Sequence, residues 1–315
     1  MRKYIACFVL FAITACSTPQ QRGLTLPAEG PARYFSYGNG YNEDLNSLYQ
    51  HAPAAGLALH INLDGKFGSD IDGASSIGQL RYTFEDRPGV LPVFILFLDP
   101  YVLSDLCGER YDSIIKKLVD ELHALDRPAA LSLGWQVDNL TWEIDPAVFV
   151  PGFKCLADKI VGGAAGAKQV ALGLHFGGLS PSHKDHQLTA YYPGRNYVNW
   201  IGTSAGKFQP NHFRRDDPFT GTQLPEVFAF AAEENLPVII TEAEPYAVQA
   251  RGLGSGDTLY RNYYQPLLEL AGSYDHLLGL AYNPGPRPDS SAHARFMRAI
   301  TSGALTTEPL ALPTN

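Results

Sequence analysis

"LPVIITEAEPYAV", residues 236–248, is an apolar run that ends abruptly in two carboxylates. Val238, Ile239 and Ile240 read as a buried strand. Glu242 and Glu244 follow, one alanine apart, and a buried charge is costly unless something uses it. Side chains alternate along a strand, so Val238, Ile240 and Glu242 share a face in this reading, with Glu244 next on it if the strand continues. Two such glutamates stand roughly 7 Å apart and point the same way.

The same kind of run recurs along the chain. Candidate strands are Arg33–Tyr37, Leu57–Leu63, Leu91–Leu98, Ala130–Gln136, Gln169–His175, Tyr197–Thr203, Pro237–Glu242 and Leu277–Tyr282. Helical patterns lie between them. "YDSIIKKLVDELHAL" (111–125) repeats its apolar residues at three and four, and "DPAVFVPGFKCLADKIV" (145–161) opens with an Asp145 N-cap and Pro146 at the first helical position. "LPEVFAFAAEEN", "LYRNYYQPLLELAG" and "SAHARFMRAI" supply three more. Eight strands alternating with helices imply a single-domain α/β fold, the (β/α)8 TIM barrel. A doubly wound nucleotide-binding sheet is disfavoured, because "YFSYGNGYNED" has Gly38 and Gly40 but not the third glycine of G-x-G-x-x-G.

The N-terminus carries a separate message. Arg2 and Lys3 precede the apolar stretch Tyr4–Ile13, which is too short to span a bilayer as a helix. "ITAC" and Ser17 then resemble a bacterial lipobox, which implies lipidation of Cys16 and sorting to the outer membrane, facing the periplasm or cell surface. An ordinary secretory signal with a chance cysteine is the alternative. The expected organisation is therefore a signal over 1–15, a tether over 16–31, the barrel over 32–305 and a tail over 306–315.

The precursor carries a net charge of −8, and loss of Arg2 and Lys3 makes the mature chain more acidic. With no basic stripe, the sequence argues against a nucleic-acid partner. Cys107 and Cys155 are left outside the signal; a disulfide and two separate buried thiols are both open. No cysteine spacing suggests a metal site.

In a barrel, function sits where the strands end. Those ends hold Tyr37, His60, Asn62, Asp64, Asp99, Trp135, Gln136, Asp138, His175, Trp200, Ser204, Glu242, Glu244, Tyr282 and Asn283, and Tyr192 and Tyr246 stand close by in sequence. Flat rings beside directional hydrogen-bonding groups suit a sugar, which stacks by its faces and bonds by its edges. No cofactor is implied. His175, His183 and His186 offer a rival reading as metal ligands, but "SPSHKDHQ" reads as a solvated loop.

Three stretches resemble the clan of (β/α)8 glycoside hydrolases that place an acid/base on strand four and a nucleophile on strand seven, and within it the mannanase-like family 26. "PVIITEAEP" is similar to the strand-seven segment leading to the nucleophile, here Glu242. "YYPGRNYVNWIGTS" (191–204) resembles the strand-six segment, with Tyr192, Pro193, Gly194, Tyr197, Val198, Trp200, Gly202 and Ser204 in step. "LSLGWQVDNLTWEIDPAVFVPGF" (131–153) is similar to the strand-four segment at Gly134, Asp138, Asp145 and Pro146. The resemblance implies a glycosidase acting on an extracytoplasmic polysaccharide, with Trp135, His60, His175, Tyr246 and Tyr282 lining the cleft.

It also exposes a departure. Where the pattern puts its acid/base glutamate, this chain has Gln136, and an amide neither gives nor takes the proton. Arg195 and Asn199 replace two further acidic residues of the strand-six pattern. Adjacent glutamates on one strand cannot flank a glycosidic bond, so Glu242 needs a partner from elsewhere. Asp138, read as sharing a strand face with Gln136, is one candidate acid, with Glu143 and a reorganised Glu244 as others. A scaffold that binds carbohydrate without cleaving it is the competing expectation, and a different register between the segments is the third.

Overall fold

The computed structural model describes residues 21–38, 54–62, 84–98, 100–138, 144–177, 187–205, 223–243, 255–283 and 290–312. Cys16, Asp64, Asp99, Glu143, His183, His186, Glu244 and Tyr246 lie outside them.

Eight parallel strands close into one barrel in chain order: β1 (Arg33–Gly38), β2 (Gly56–Asn62), β3 (Leu91–Phe97), β4 (Ala129–Leu133), β5 (Val170–Phe176), β6 (Trp200–Ser204), β7 (Val238–Ala243) and β8 (Leu277–Tyr282). β1 pairs with β8 to seal the ring. The helices expected from apolar periodicity form as α1 (Asp112–Ala124), α2 (Pro146–Val161), α3 (Leu224–Glu233), α4 (Gln265–Ser273) and α5 (Ser290–Thr301). A π turn over Tyr260–Tyr264 leads into α4. Asp145 caps α2 by accepting the Ala147 N–H at 2.8 Å.

Alternation sorts each strand into two layers. Leu131, Leu133, Leu172, Leu174, Val238 and Ile240 face outward beneath the helices. Phe35, Val93, Ile95, Trp200, Ile239 and Leu278 fill the interior. Glycines make room for the largest rings: a Cβ on Gly173 would stand 2.2 Å from Trp200 Cε2, and one on Gly279 would stand 2.5 Å from Phe35.

Both ends of the described chain contact the barrel. Leu26 is buried in the interior cluster, and Leu24, Leu310 and Leu312 pack against it. Leu24 N–H donates to the Val170 carbonyl, and Thr306 bonds both Ala32 and Tyr34. The open N-terminal end of a barrel exposes apolar side chains, and these leucines cover them. Leu24 and Leu26 thus seat the start of the described chain on this end of the barrel.

Cys107 and Cys155 form a disulfide with 5.2 Å between their Cα atoms. It ties the segment before α1 to the middle of α2.

Candidate active site

The strand ends on the β4–β7 side bring five polar residues together inside the barrel: Gln136, His175, Ser204, Thr241 and Glu242. Trp200, Gly202 and Ser204 alternate on the inner face of β6, and His175 and Thr241 face them from β5 and β7. Strict alternation from the outward Val238 and Ile240 would also send Glu242 outward. A β-bulge prevents this. Thr203 pairs with Ile240, but the next residue, Ser204, pairs with Glu242, so β7 carries one extra residue at Thr241. The β8 side shows the same irregularity between Ile240 and Ala243. Thr241 and Glu242 are therefore both directed inward, and the face expected for Glu242 from the sequence is corrected by one local insertion.

Glu242 is 4% exposed and its Oε2 lies 3.3 Å from Ser204 Oγ. Ser204 Oγ in turn lies 3.2 Å from Gln136 Nε2. An amide nitrogen only donates, so Ser204 accepts from Gln136 and donates to Glu242. The chain of donation thus runs from the turn after β4 to β7 and ends on the Glu242 carboxyl.

β4 ends sooner than expected, at Leu133. Gly134 (φ 110°) and Gln136 (φ 49°) both take left-handed backbone, and the chain turns there. Asp138 does not share a strand face with Gln136. Half-buried, it accepts the Gly177 N–H at Oδ1, 2.6 Å away. Burial pushes its carboxyl up to about 6, and the nearby Glu226 charge adds to this; the N–H groups of Gly177 and of Asp138 itself, with the Gln223 amide, act in the opposite direction.

His175 is fully buried. Its Nδ1 accepts the Gln136 backbone N–H at 3.1 Å, and its Nε2 lies 2.7 Å from Thr241 Oγ1. Both ring nitrogens face protein groups, which corrects its expected place as a substrate contact. Three other expected cleft residues are also packing residues. Trp200 is sealed inside the barrel with Nε1 donating to the Ala171 carbonyl at 3.0 Å. Tyr282 faces the helical layer, stacked on Phe296 with centroids 4.4 Å apart. Tyr192 meets Phe230 of α3 edge-on at 5.2 Å. Each aromatic stands on a strand or loop where the outer or inner core needed volume, and sequence position near a strand end could not tell these uses apart.

Tyr37, His60 and Trp135 do come together at the mouth. Tyr37 OH lies 3.1 Å from His60 Nδ1, and the His60 and Trp135 rings meet at 5.4 Å. Phe97 supports Trp135 from β3. Ser204 stands at a strand end in the sequence and in step in the strand-six segment, whereas Thr241 carries no signal of its own there. Among the described residues, no group of three or more His, Cys, Asp or Glu is placed to hold a metal ion, and no helix is long and apolar enough to cross a membrane.

Fold and site together define a (β/α)8 barrel with a buried carboxylate network at its strand-end mouth. No family model matches the chain, and no curated protein matches it in sequence. Solved structures do. A GH26A protein from Muricauda sp. superposes with a TM-score of 0.58 at 12% identity, covering 91% of this chain and 94% of the other. The endo-β-1,4-mannanase of Cellulomonas fimi gives 0.60 at 11% identity over 90% of this chain and 76% of that one. PbGH5A, a glycoside hydrolase family 5 enzyme from Prevotella bryantii, gives 0.51 at 10% identity over 89% and 96%. The chain shares the barrel fold of these glycoside hydrolases.

Proposed function

We propose that this protein is a glycoside hydrolase acting on an extracytoplasmic polysaccharide, with Glu242 as the nucleophile of a retaining reaction. The observation that carries the reading is the Gln136–Ser204–Glu242 chain, which holds an acceptor carboxylate inside the mouth. A nucleophile must be ionised to attack the anomeric carbon, and the Ser204 hydroxyl is placed to donate to the Glu242 carboxylate in that state. Asp138 is the first candidate for the acid, because burial raises its carboxyl to about 6 and it keeps its proton over a wider pH range than an ordinary carboxyl. Glu143 is the other candidate. The Tyr37–His60–Trp135 cluster supplies a platform on which a sugar ring can stack. Cys16 anchors the chain to the outer membrane in this reading, and the Cys107–Cys155 disulfide suits an oxidising compartment.

One observation favours a second reading. The residue after β4 that reaches toward Glu242 through Ser204 is an amide, and in that reading the scaffold binds carbohydrate without cleaving it. Soluble polysaccharides, mannan included, assayed with the native protein, Glu242→Gln and Gln136→Glu separate the two. Turnover by the native protein that Glu242→Gln abolishes supports the enzyme. Binding without turnover, unchanged in Glu242→Gln, supports the binding protein. Hydrolysis gained in Gln136→Glu assigns Gln136 to the acid/base position.

A further inference from the structure

We propose that His175 is a positioning residue: fixed as its Nε2–H tautomer, it pins the Gln136 backbone and thereby aims the amide that addresses Ser204 and Glu242. The inference rests on the site assigned above and adds to it the element that sets its geometry.

The hydrogen bonds determine the tautomer. The Gln136 N–H can only donate, so His175 Nδ1 is the acceptor and carries no proton. The neutral ring then bears its proton on Nε2 and donates to Thr241 Oγ1 at 2.7 Å. Thr241 Oγ1 in turn donates to the Thr203 carbonyl at 3.3 Å. His175 thus stands in a one-way chain from the end of β4, through β5, to β7 and the edge of β6.

What the chain holds is a strained residue. Gln136 has φ 49°, a left-handed conformation unfavourable for a non-glycine residue, which persists only when its surroundings impose it. Two bonds converge on this turn from β5: His175 Nδ1 takes the Gln136 N–H, and the His175 carbonyl takes the Val137 N–H at 3.1 Å. The backbone conformation fixes the Cα–Cβ direction, and so fixes where the Gln136 amide points. The imidazole is itself seated by glycine: a Cβ on Gly202 would stand 2.7 Å from His175 Cδ2. Thr241, the partner of Nε2, is the extra residue of the β7 bulge that turns Glu242 inward. One ring therefore ties together the two irregularities, on β4 and on β7, that create the site.

Two isosteric substitutions divide the ring's functions. His175→Asn keeps an acceptor near the Nδ1 position, and His175→Gln keeps a donor near the Nε2 position. The ring nitrogen shifts of 15N-labelled native protein should report an unprotonated Nδ1 and a protonated Nε2. Hydrogen exchange at the Gln136 amide should stay slow in His175→Asn and rise by ~10-fold or more in His175→Gln. With soluble mannan as probe, His175→Asn should keep kcat or affinity within about threefold, while His175→Gln loses ~10-fold or more. An Nδ1–H tautomer, equal exchange in the two variants, or losses that simply follow their thermal midpoints would overturn the proposal. The tautomer and exchange arms need no substrate. If mannan is neither bound nor cleaved but those two arms hold, His175 keeps its assignment and the functional reading alone fails for that polymer.

Discussion

Ser204 Oγ stands 3.3 Å from Glu242 Oε2, and the two residues are direct partners across β6 and β7. A hydroxyl at this point accepts a hydrogen bond from the Gln136 amide and donates one to Glu242. Ser204→Ala removes a donor to Glu242 and an acceptor for Gln136 while leaving the barrel core untouched. The expected cost is about 1–3 kcal/mol of stability, read by urea unfolding, because buried polar atoms lose a bond. Turnover, where present, should fall by ~10-fold or more as the carboxylate loses its aim. Unchanged stability together with unchanged turnover would remove Ser204 from the site.

Asp138 gives a pH dependence whose sign is unusual for a carboxylate. Burial raises its folded pKa from 3.8 to about 6, so between those values the native state binds more protons than the unfolded one. Its neutral form contributes fully below the unfolded value, and that contribution is lost as pH rises through 6. Asp138→Asn retains an acceptor for the Gly177 N–H but cannot ionise. Its thermal midpoint should therefore gain on that of the native protein between pH 4 and pH 7, by an amount corresponding to on the order of 2 kcal/mol. A constant difference across that range would show that Asp138 titrates normally. If Asp138 is also the general acid, the same variant loses activity while gaining stability.

The Cys107–Cys155 bridge closes a loop with a sequence separation of 48. Closing a loop of that size typically stabilises by about 2–4 kcal/mol, mainly by restricting the unfolded chain. Reduction, or the paired change to serine, should lower the thermal midpoint by several degrees and leave the far-ultraviolet circular dichroism of the folded state intact. A midpoint indifferent to reductant would mean that the bridge does not form in the purified protein.

Leu26→Ala tests how the start of the described chain is seated on the N-terminal end of the barrel. Leu26 is buried among interior residues, and its truncation should cost about 2–5 kcal/mol in denaturant unfolding, the range for buried leucine. A cost below about 0.5 kcal/mol, the surface value, would show that Leu26 is not seated there.

The sequence by itself determined the barrel. Eight apolar runs separated by helical periodicity admit one economical closure, and each of the five helical patterns formed where its periodicity placed it. It also marked Glu242, because a carboxylate at the end of so apolar a run stands out against its surroundings. Tertiary structure decided everything that depended on direction. Alternation from Val238 assigned Glu242 to the outer face, and one extra residue at Thr241 reversed it. Tyr282 and Trp200 looked like cleft aromatics until packing sent one against Phe296 and the other into the barrel core. Leu24, Leu26, Leu310 and Leu312 are too sparse to form a periodic pattern, yet they cover the bottom of the barrel because its open end has apolar surface to bury. Periodicity is a local property that a sequence displays directly. A bulge, a left-handed residue such as Gln136 and the destination of a single aromatic ring depend on neighbours distant in the chain, and those become visible only once the barrel has closed.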